Sequence, residues 1–99
     1  MGDNSQILVN FNEKAKKIFF SLYDQFRLSA RRLDRTRDNN VFQQQEAKYL
    51  ATLKHQLELL AVEMMKRNET KSDMDQLNKK LTYTVSQFLN EFKQKSRSL

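Results

Sequence analysis

The 99-residue sequence contains no cysteine, no proline and no tryptophan, and its only glycine is Gly2. Without cysteine the chain cannot form a disulfide scaffold, a catalytic thiolate or a thiolate metal site. Proline and internal glycine are the usual residues of tight turns between strands, so their absence argues against an all-β fold. A single glycine also excludes a glycine-rich phosphate loop. The composition therefore predicts an all-α chain.

Long apolar runs are also missing. No segment approaches the roughly 18 apolar residues that a membrane span requires, and the N-terminus has no basic region followed by an apolar core. We therefore expect a cytoplasmic protein that does not contact a membrane, in keeping with the lack of cysteine. Lysine and arginine number 18 against 12 acidic residues, which gives a net charge of +6. This charge favours an acidic partner, either nucleic acid or an acidic protein segment.

Three segments have apolar residues at steps of three and four, the spacing of one helix face. They predict helices over about residues 5–33, 41–66 and 73–94, with polar connectors between them and frayed residues after 94. We expect Asn39 or Asn40 to cap the second helix, and Ser72 with Asp75 to cap the third.

Connectors of this length favour antiparallel neighbours. The predicted fold class is therefore all-α, a single domain over residues 1–99 that forms an up-down-up bundle of three long helices. Leu50, Leu57 and Met64 repeat at intervals of seven, the spacing of a coiled coil. An extended hairpin completed by a second protomer therefore stays open as an alternative.

Residues for catalysis are sparse. His55 is the only histidine, so one chain cannot supply a pair of histidine metal ligands. The carboxylates are scattered and form no recognisable acid–base couple by spacing. We predict that the protein is not an enzyme and has no catalytic residue, metal, cofactor or small-molecule substrate. One enzymatic alternative is a chorismate-mutase-like site, which needs only Arg, Lys, Glu and Gln around a dicarboxylate, and a turnover assay with chorismate tests it.

The first helix carries a candidate binding face on the side opposite its apolar stripe. Arginine side chains there offer planar forks for carboxylate or phosphate, and a phenylalanine among them offers an apolar anchor. The alternative is a solvated charged face, in which Asp24 pairs with an arginine and the phenylalanine covers a neighbouring helix. The residues predicted to bind a partner are Phe20, Arg27, Arg31, Arg32 and Arg35.

The third helix presents an exposed tyrosine among lysines, an arrangement that can stack a nucleic-acid base and hold phosphates. A plain surface tyrosine is the alternative. The residues predicted to contact single-stranded DNA, with weak and salt-sensitive affinity, are Arg37, Lys79, Lys80 and Tyr83.

The second helix has apolar residues away from its main seam: Ala51, Leu59 and Val62, together with His55. Because a middle helix touches both neighbours, we expect this second stripe to be core. The alternative is a surface that receives a partner helix.

The segment Ser29–Arg35, followed by Val41-Phe42 and Tyr49-Leu50, resembles the N-terminal domain of the primosomal replication protein N″ family, PriC. That family has a Ser/Ala-rich lead into Arg-Phe-Asp, then a Leu-Phe pair and a helix with a leucine ladder. The segment Leu77–Leu81 is similar to the family's Leu-Ala-Glu-x-Leu helix, and the resemblance extends from about Phe11 to Phe92.

This resemblance implies a small bacterial helical adaptor that helps reload the replicative helicase at stalled forks. The implied partners are the replicative helicase, single-strand-binding protein, or both. Arg32 takes the place of the family's motif arginine, which is implied to help engage the helicase. The other function that the sequence leaves open is a small chaperone or assembly subunit of a multiprotein complex, for example a secretion complex, with the second stripe of the middle helix receiving the partner.

Overall fold

The computed structural model describes residues 3–34, 37–66 and 74–98. Three helices account for nearly all of them: α1 spans Asp3–Ala30, α2 spans Asn39–Lys66 and α3 spans Met74–Arg97. Within those ranges the chain forms no β-strand, and each helix packs against the other two. The predicted all-α bundle of three long helices is therefore confirmed.

The helices run up, down and up along a molecule of 54 × 18 × 18 Å. Near the end of α1, the Phe26 ring lies 5.3 Å from the Phe42 ring and 5.6 Å from the Tyr49 ring, both in the first half of α2. The same ring lies 5.5 Å from the Phe92 ring, near the end of α3. Hence α1 and α3 are parallel to each other, and α2 runs antiparallel to both.

The core is one continuous set of apolar side chains, drawn from the predicted stripe of each helix. Phe19 lies at its centre, with the Phe88 ring at 5.8 Å and the Phe92 ring at 5.9 Å. Full burial of one such ring stabilises the fold by about 1.5–3 kcal/mol. The buried apolar residues are Phe11, Ala15, Phe19, Leu22, Phe26, Ala30, Phe42, Leu53, Leu57, Leu60, Met64, Leu77, Leu81, Val85, Phe88 and Phe92.

The first helix ends at Ala30, earlier than the predicted residue 33. Beyond it, the N–H groups of Arg32 and Leu33 donate to the carbonyls of Ser29 and Ala30, at 3.3 and 3.1 Å. These bonds reach back three residues, which is the tighter geometry common at helix ends. The chain therefore leaves the helix before Leu33, although Leu33 still packs against the core.

The cap of α2 is Asp38, so the prediction of Asn39 or Asn40 was wrong by one or two residues. The Asp38 carbonyl accepts the first helical hydrogen bond, from the Phe42 N–H at 2.9 Å, which defines the cap position. Its carboxylate also accepts the Asp34 N–H at 3.1 Å. The connector is thereby tied to the start of α2.

The third helix continues to Arg97 instead of fraying after residue 94. Ser96 is completely buried, and its hydroxyl contacts the Glu46 carboxylate of α2 and, at 2.8 Å, the Lys93 carbonyl. One hydroxyl hydrogen can serve one of these acceptors at a time. This polar contact holds the last turn of α3 against α2. The predicted start of this helix at residue 73 and its predicted cap, Ser72, lie outside the described residues.

Candidate interaction surface

Phe20 lies on the outside of α1, with half of its surface exposed. Its ring meets the buried Phe19 ring edge-on at a centroid distance of 5.4 Å. From α3, the Lys95 ammonium lies 5.6 Å from the Phe20 ring and 5.7 Å from the Tyr23 ring, within the range of cation–π attraction. The exposed Phe20 ring is therefore held in place by the Phe19 ring of its own helix and by the Lys95 ammonium from α3.

Lys95 and Tyr23 also belong to this surface, although neither stands out in the sequence. The Tyr23 hydroxyl donates a hydrogen bond to the Lys95 carbonyl at 3.1 Å. Burial raises the pKa of the Tyr23 phenol above its ordinary value of 10; the Arg27 charge opposes this shift and the Asp24 charge adds to it. These contacts join residues more than 70 positions apart, so no pattern within one helix could have shown them.

The arginines continue this surface toward the connector. The Arg27 guanidinium lies 3.6 Å from the Asp24 carboxylate, one turn away, as the alternative reading of the face allowed. Arg31 and Arg32 are exposed in the turn after α1, and within the described part of the chain neither forms an ion pair. Arg31 keeps a helical hydrogen bond, from its N–H to the Arg27 carbonyl at 3.1 Å, whereas the Arg32 N–H reaches back only three residues, so the helix wheel no longer places Arg32. Arg35 lies outside the described residues.

The residues predicted to contact DNA do not form one patch. Tyr83 is 65% exposed and borders, with Lys79 and Lys80, a groove of about 330 Å³ against Leu8 in the first turns of α1. Arg37 is exposed in the connector at the other end of α1, about 30 Å away at 1.5 Å per helical residue. Only the three residues of α3 remain together as a candidate site for single-stranded DNA.

The second stripe of α2 is exposed, so the expectation that it belongs to the core was wrong. We call Ala51, His55, Leu59 and Val62 the outer stripe; all four are exposed, Leu59 by 57% and Val62 by 44%. The reason is that α1 and α3 both pack against one broad seam of α2, made by Phe42, Leu53, Leu57, Leu60 and Met64. The outer stripe lies on the opposite side of the helix.

Next to the outer stripe, a groove of about 430 Å³ opens between α2 and α3. Its apolar lining comes from Ala61, Val62 and Met65 of α2 and from Val85 and Leu89 of α3. Polar side chains border it on both helices. The apolar surface of α2 is therefore wider than the outer stripe alone.

Groups suited to metal binding do not converge in the described ranges, where no cluster of three or more His, Asp or Glu side chains forms. Among the same residues, no helix combines the length and apolar character of a membrane span.

Comparison with known proteins adds no relative: no family model, no curated protein and no solved structure matches this chain. The resemblance to PriC therefore stays a prediction that rests on the segments quoted above. The fold and the exposed surfaces define the class only, a small helical bundle that carries an aromatic and basic face.

Proposed function

We propose that the protein is a non-enzymatic interaction module that binds an acidic, partly apolar surface of a partner protein. The observation that carries this proposal is the half-exposed Phe20 ring, fixed against Phe19 beneath Lys95. An aromatic anchor that is already held in place loses little side-chain entropy on binding. Aromatic and arginine side chains are also the residues that most often dominate binding energy at interfaces.

The arginines of the same surface supply the charge complementarity. Arg31 and Arg32 are exposed beyond the last turn of α1, while Arg27 is balanced by Asp24. Exposed rim charges speed the encounter with an oppositely charged partner, whereas a buried anchor slows release. We therefore assign on-rate and salt dependence to Arg31 and Arg32, and residence time to Phe20.

For the partner we propose the bacterial replicative helicase, with single-strand-binding protein as the second candidate, which makes the protein a cytoplasmic adaptor of replication restart. This part rests on the resemblance to PriC, in which Arg32 takes the place of the motif arginine. The exposure of Arg32 supports it, since a buried side chain would be unable to reach a partner.

The experiment measures binding of purified replicative helicase, and separately of single-strand-binding protein, to the immobilised chain. The test variant is Arg31→Glu/Arg32→Glu. Its control, the distant-lysine variant Lys14→Glu/Lys66→Glu, changes the net charge by the same amount at exposed sites of α1 and α2. We expect the test variant to lose about tenfold or more in affinity, as removal of hot-spot arginines does, and the control to bind like the wild type.

Equal binding by both variants would reject the proposal that Arg31 and Arg32 bind the partner. If the wild type binds neither protein, the replication-restart function is rejected. The interaction module would then need a different partner. Both variants should keep the helicity and melting temperature of the wild type, because all four side chains are exposed.

A second candidate function, an assembly subunit of a multiprotein complex, is favoured by one observation. The outer stripe and the adjoining groove form an apolar surface that the bundle itself does not use. A foreign amphipathic helix could lay its apolar face there. A chain that aggregates alone and is rescued by such a partner would support this function.

A further inference from the structure

The outer stripe is long and regular enough to pair with another helix. Its residues follow one another at intervals of four, four and three, so they stay on one side of α2 over about 16 Å of helix. All four are exposed, and Val62 also lines the α2–α3 groove, so the stripe is contiguous with the apolar lining of that groove. Contiguous exposed apolar surface is typical of interaction sites, whereas single exposed apolar residues are ordinary. Within the described part of the bundle, no helix covers the outer stripe.

Two charged side chains beside the outer stripe indicate what kind of partner binds there. Lys54 and Glu58 both border the α2–α3 groove, so they lie on the same flank of the stripe. Both are exposed and described, and although they are four residues apart they form no ion pair with each other. A partner helix complements both charges when it presents an acidic group opposite Lys54 and a basic group opposite Glu58, and an antiparallel copy of α2 does so.

We propose that the partner is a second copy of this chain, packed through the outer stripe with the two α2 helices antiparallel. A two-fold axis perpendicular to α2 near Gln56 keeps each flank against the same flank of the copy, as an isologous interface requires. It exchanges positions 54 and 58, so each Lys54 meets Glu58 of the copy, and the dimer contains two such pairs. In a parallel arrangement each residue would lie level with the same residue of the copy, so Lys54 would not face Glu58.

The same axis suits the apolar residues. It brings Ala51 of one chain to the level of Ala61 and Val62 of the other, and the small alanine side chains allow the two helices to approach closely. His55 lies near the axis as the one polar member of the stripe. A polar residue in an apolar helix seam fixes the register at some cost in stability. This inference is independent of the proposed function, because Phe20 and the arginines lie on α1 and in the connector.

Sedimentation velocity of the full chain over a concentration series tests the proposal. We expect a reversible dimer of twice the chain mass of 11.9 kDa. Leu59→Glu should abolish it, since burial of a carboxylate in the seam is unfavourable. Leu28→Glu is the matched control, because Leu28 is 54% exposed on α1, close to the 57% of Leu59, and this variant should dimerise like the wild type.

Charge exchange tests the antiparallel register. Lys54→Glu alone and Glu58→Lys alone each replace two attractive pairs in the dimer with two repulsive ones, and each should weaken dimerisation by about tenfold. The double variant Lys54→Glu/Glu58→Lys restores opposite charges and should recover affinity to within about threefold of the wild type. High salt should reduce all of these differences.

Four outcomes would overturn the proposal: a monomer at every concentration, a dimer that survives Leu59→Glu, loss of dimer in the Leu28→Glu control, or a double charge exchange no better than the single variants. A stripe covered only when a different protein is added would also overturn it and would favour the assembly-subunit function. Helicase binding is measured on other residues, so failure of either idea leaves the other testable.

Discussion

Phe92 and Phe20 offer a direct test of which aromatic residues hold the bundle together and which face a partner. Phe92 is completely buried, and its ring lies 5.9 Å from Phe19, 5.5 Å from Tyr23 and 5.5 Å from Phe26. Phe20 is half-exposed and meets one other ring, that of Phe19. The two residues differ in burial and in neighbours while the side chain is the same.

The magnitudes follow from this difference. Replacement of a buried phenylalanine by alanine costs about 3–5 kcal/mol, and the three ring contacts of Phe92 place Phe92→Ala in the upper half of that range. Phe20→Ala removes about half as much buried surface and leaves no enclosed cavity, so about 1 kcal/mol is expected. Because a domain of this size is stable by about 5–15 kcal/mol in total, Phe92→Ala should remove at least about a quarter of that stability.

Urea denaturation followed by far-UV circular dichroism measures both effects. In thermal scans with the same signal, Phe92→Ala should lower the melting temperature by roughly 16–40 °C at about 4–8 °C per kcal/mol, and Phe20→Ala by less than about 8 °C. If Phe92→Ala does not fold at all, Phe92→Leu supplies an intermediate value, since it keeps most of the volume and should cost less than about 1.5 kcal/mol. Similar losses for Phe92→Ala and Phe20→Ala would refute the assignment of Phe20 to a binding surface.

Two further variants test the Tyr23 hydrogen bond and the lysines of α3. Tyr23→Phe removes the hydrogen bond to the Lys95 carbonyl and should destabilise the fold by about 1 kcal/mol in urea titrations. Folding raises the pKa of the Tyr23 phenol and therefore favours its neutral form. The contribution of Tyr23 to stability is present in full below its unfolded pKa of 10, and it is lost as the pH rises through the higher pKa of the folded state. That alkaline loss should be smaller in Tyr23→Phe, and an unchanged pH profile would contradict the burial argument. Lys79→Glu/Lys80→Glu should weaken single-stranded DNA binding and lower the salt slope by about 1.4 if both lysines contact phosphate. An equal effect of Arg31→Glu/Arg32→Glu, which changes the net charge by the same amount at the other end of the bundle, would reduce this site to general charge.

Much of the fold was predictable because helical periodicity depends only on local spacing. Steps of three and four placed the residues around Phe19, Leu57 and Leu81 in the core, where the structure has them. The helix ends were less predictable, since they depend on individual hydrogen bonds. Asp38 and not its neighbours caps α2, and burial of Ser96 against another helix keeps the end of α3 ordered.

The candidate surface was predictable only in part, because a helix wheel gives the angle of a side chain and not its neighbours. The wheel placed Phe20 outside, which the structure bears out, but it had no means of placing Lys95 beside that ring. It placed Leu59 and Val62 away from the main seam of α2 but had no means of deciding between core and exposed surface. That outcome depends on α1 and α3 sharing one seam of α2, and such an arrangement is a property of the whole bundle.

The two proposed surfaces face different ways, and this geometry has a functional consequence. The outer stripe lies on α2, on the side turned away from α1 and α3, whereas Phe20 lies on α1 beside Lys95 of α3. A dimer formed through the outer stripe therefore leaves both copies of the Phe20 surface exposed. To a partner built of several identical subunits, one dimer would present two binding surfaces for repeated sites. A second contact made from an already bound molecule is favoured by its high effective concentration. Leu59→Glu should therefore weaken binding to a multisubunit partner more than binding to a single isolated subunit, and an equal effect on both would separate dimerisation from partner binding.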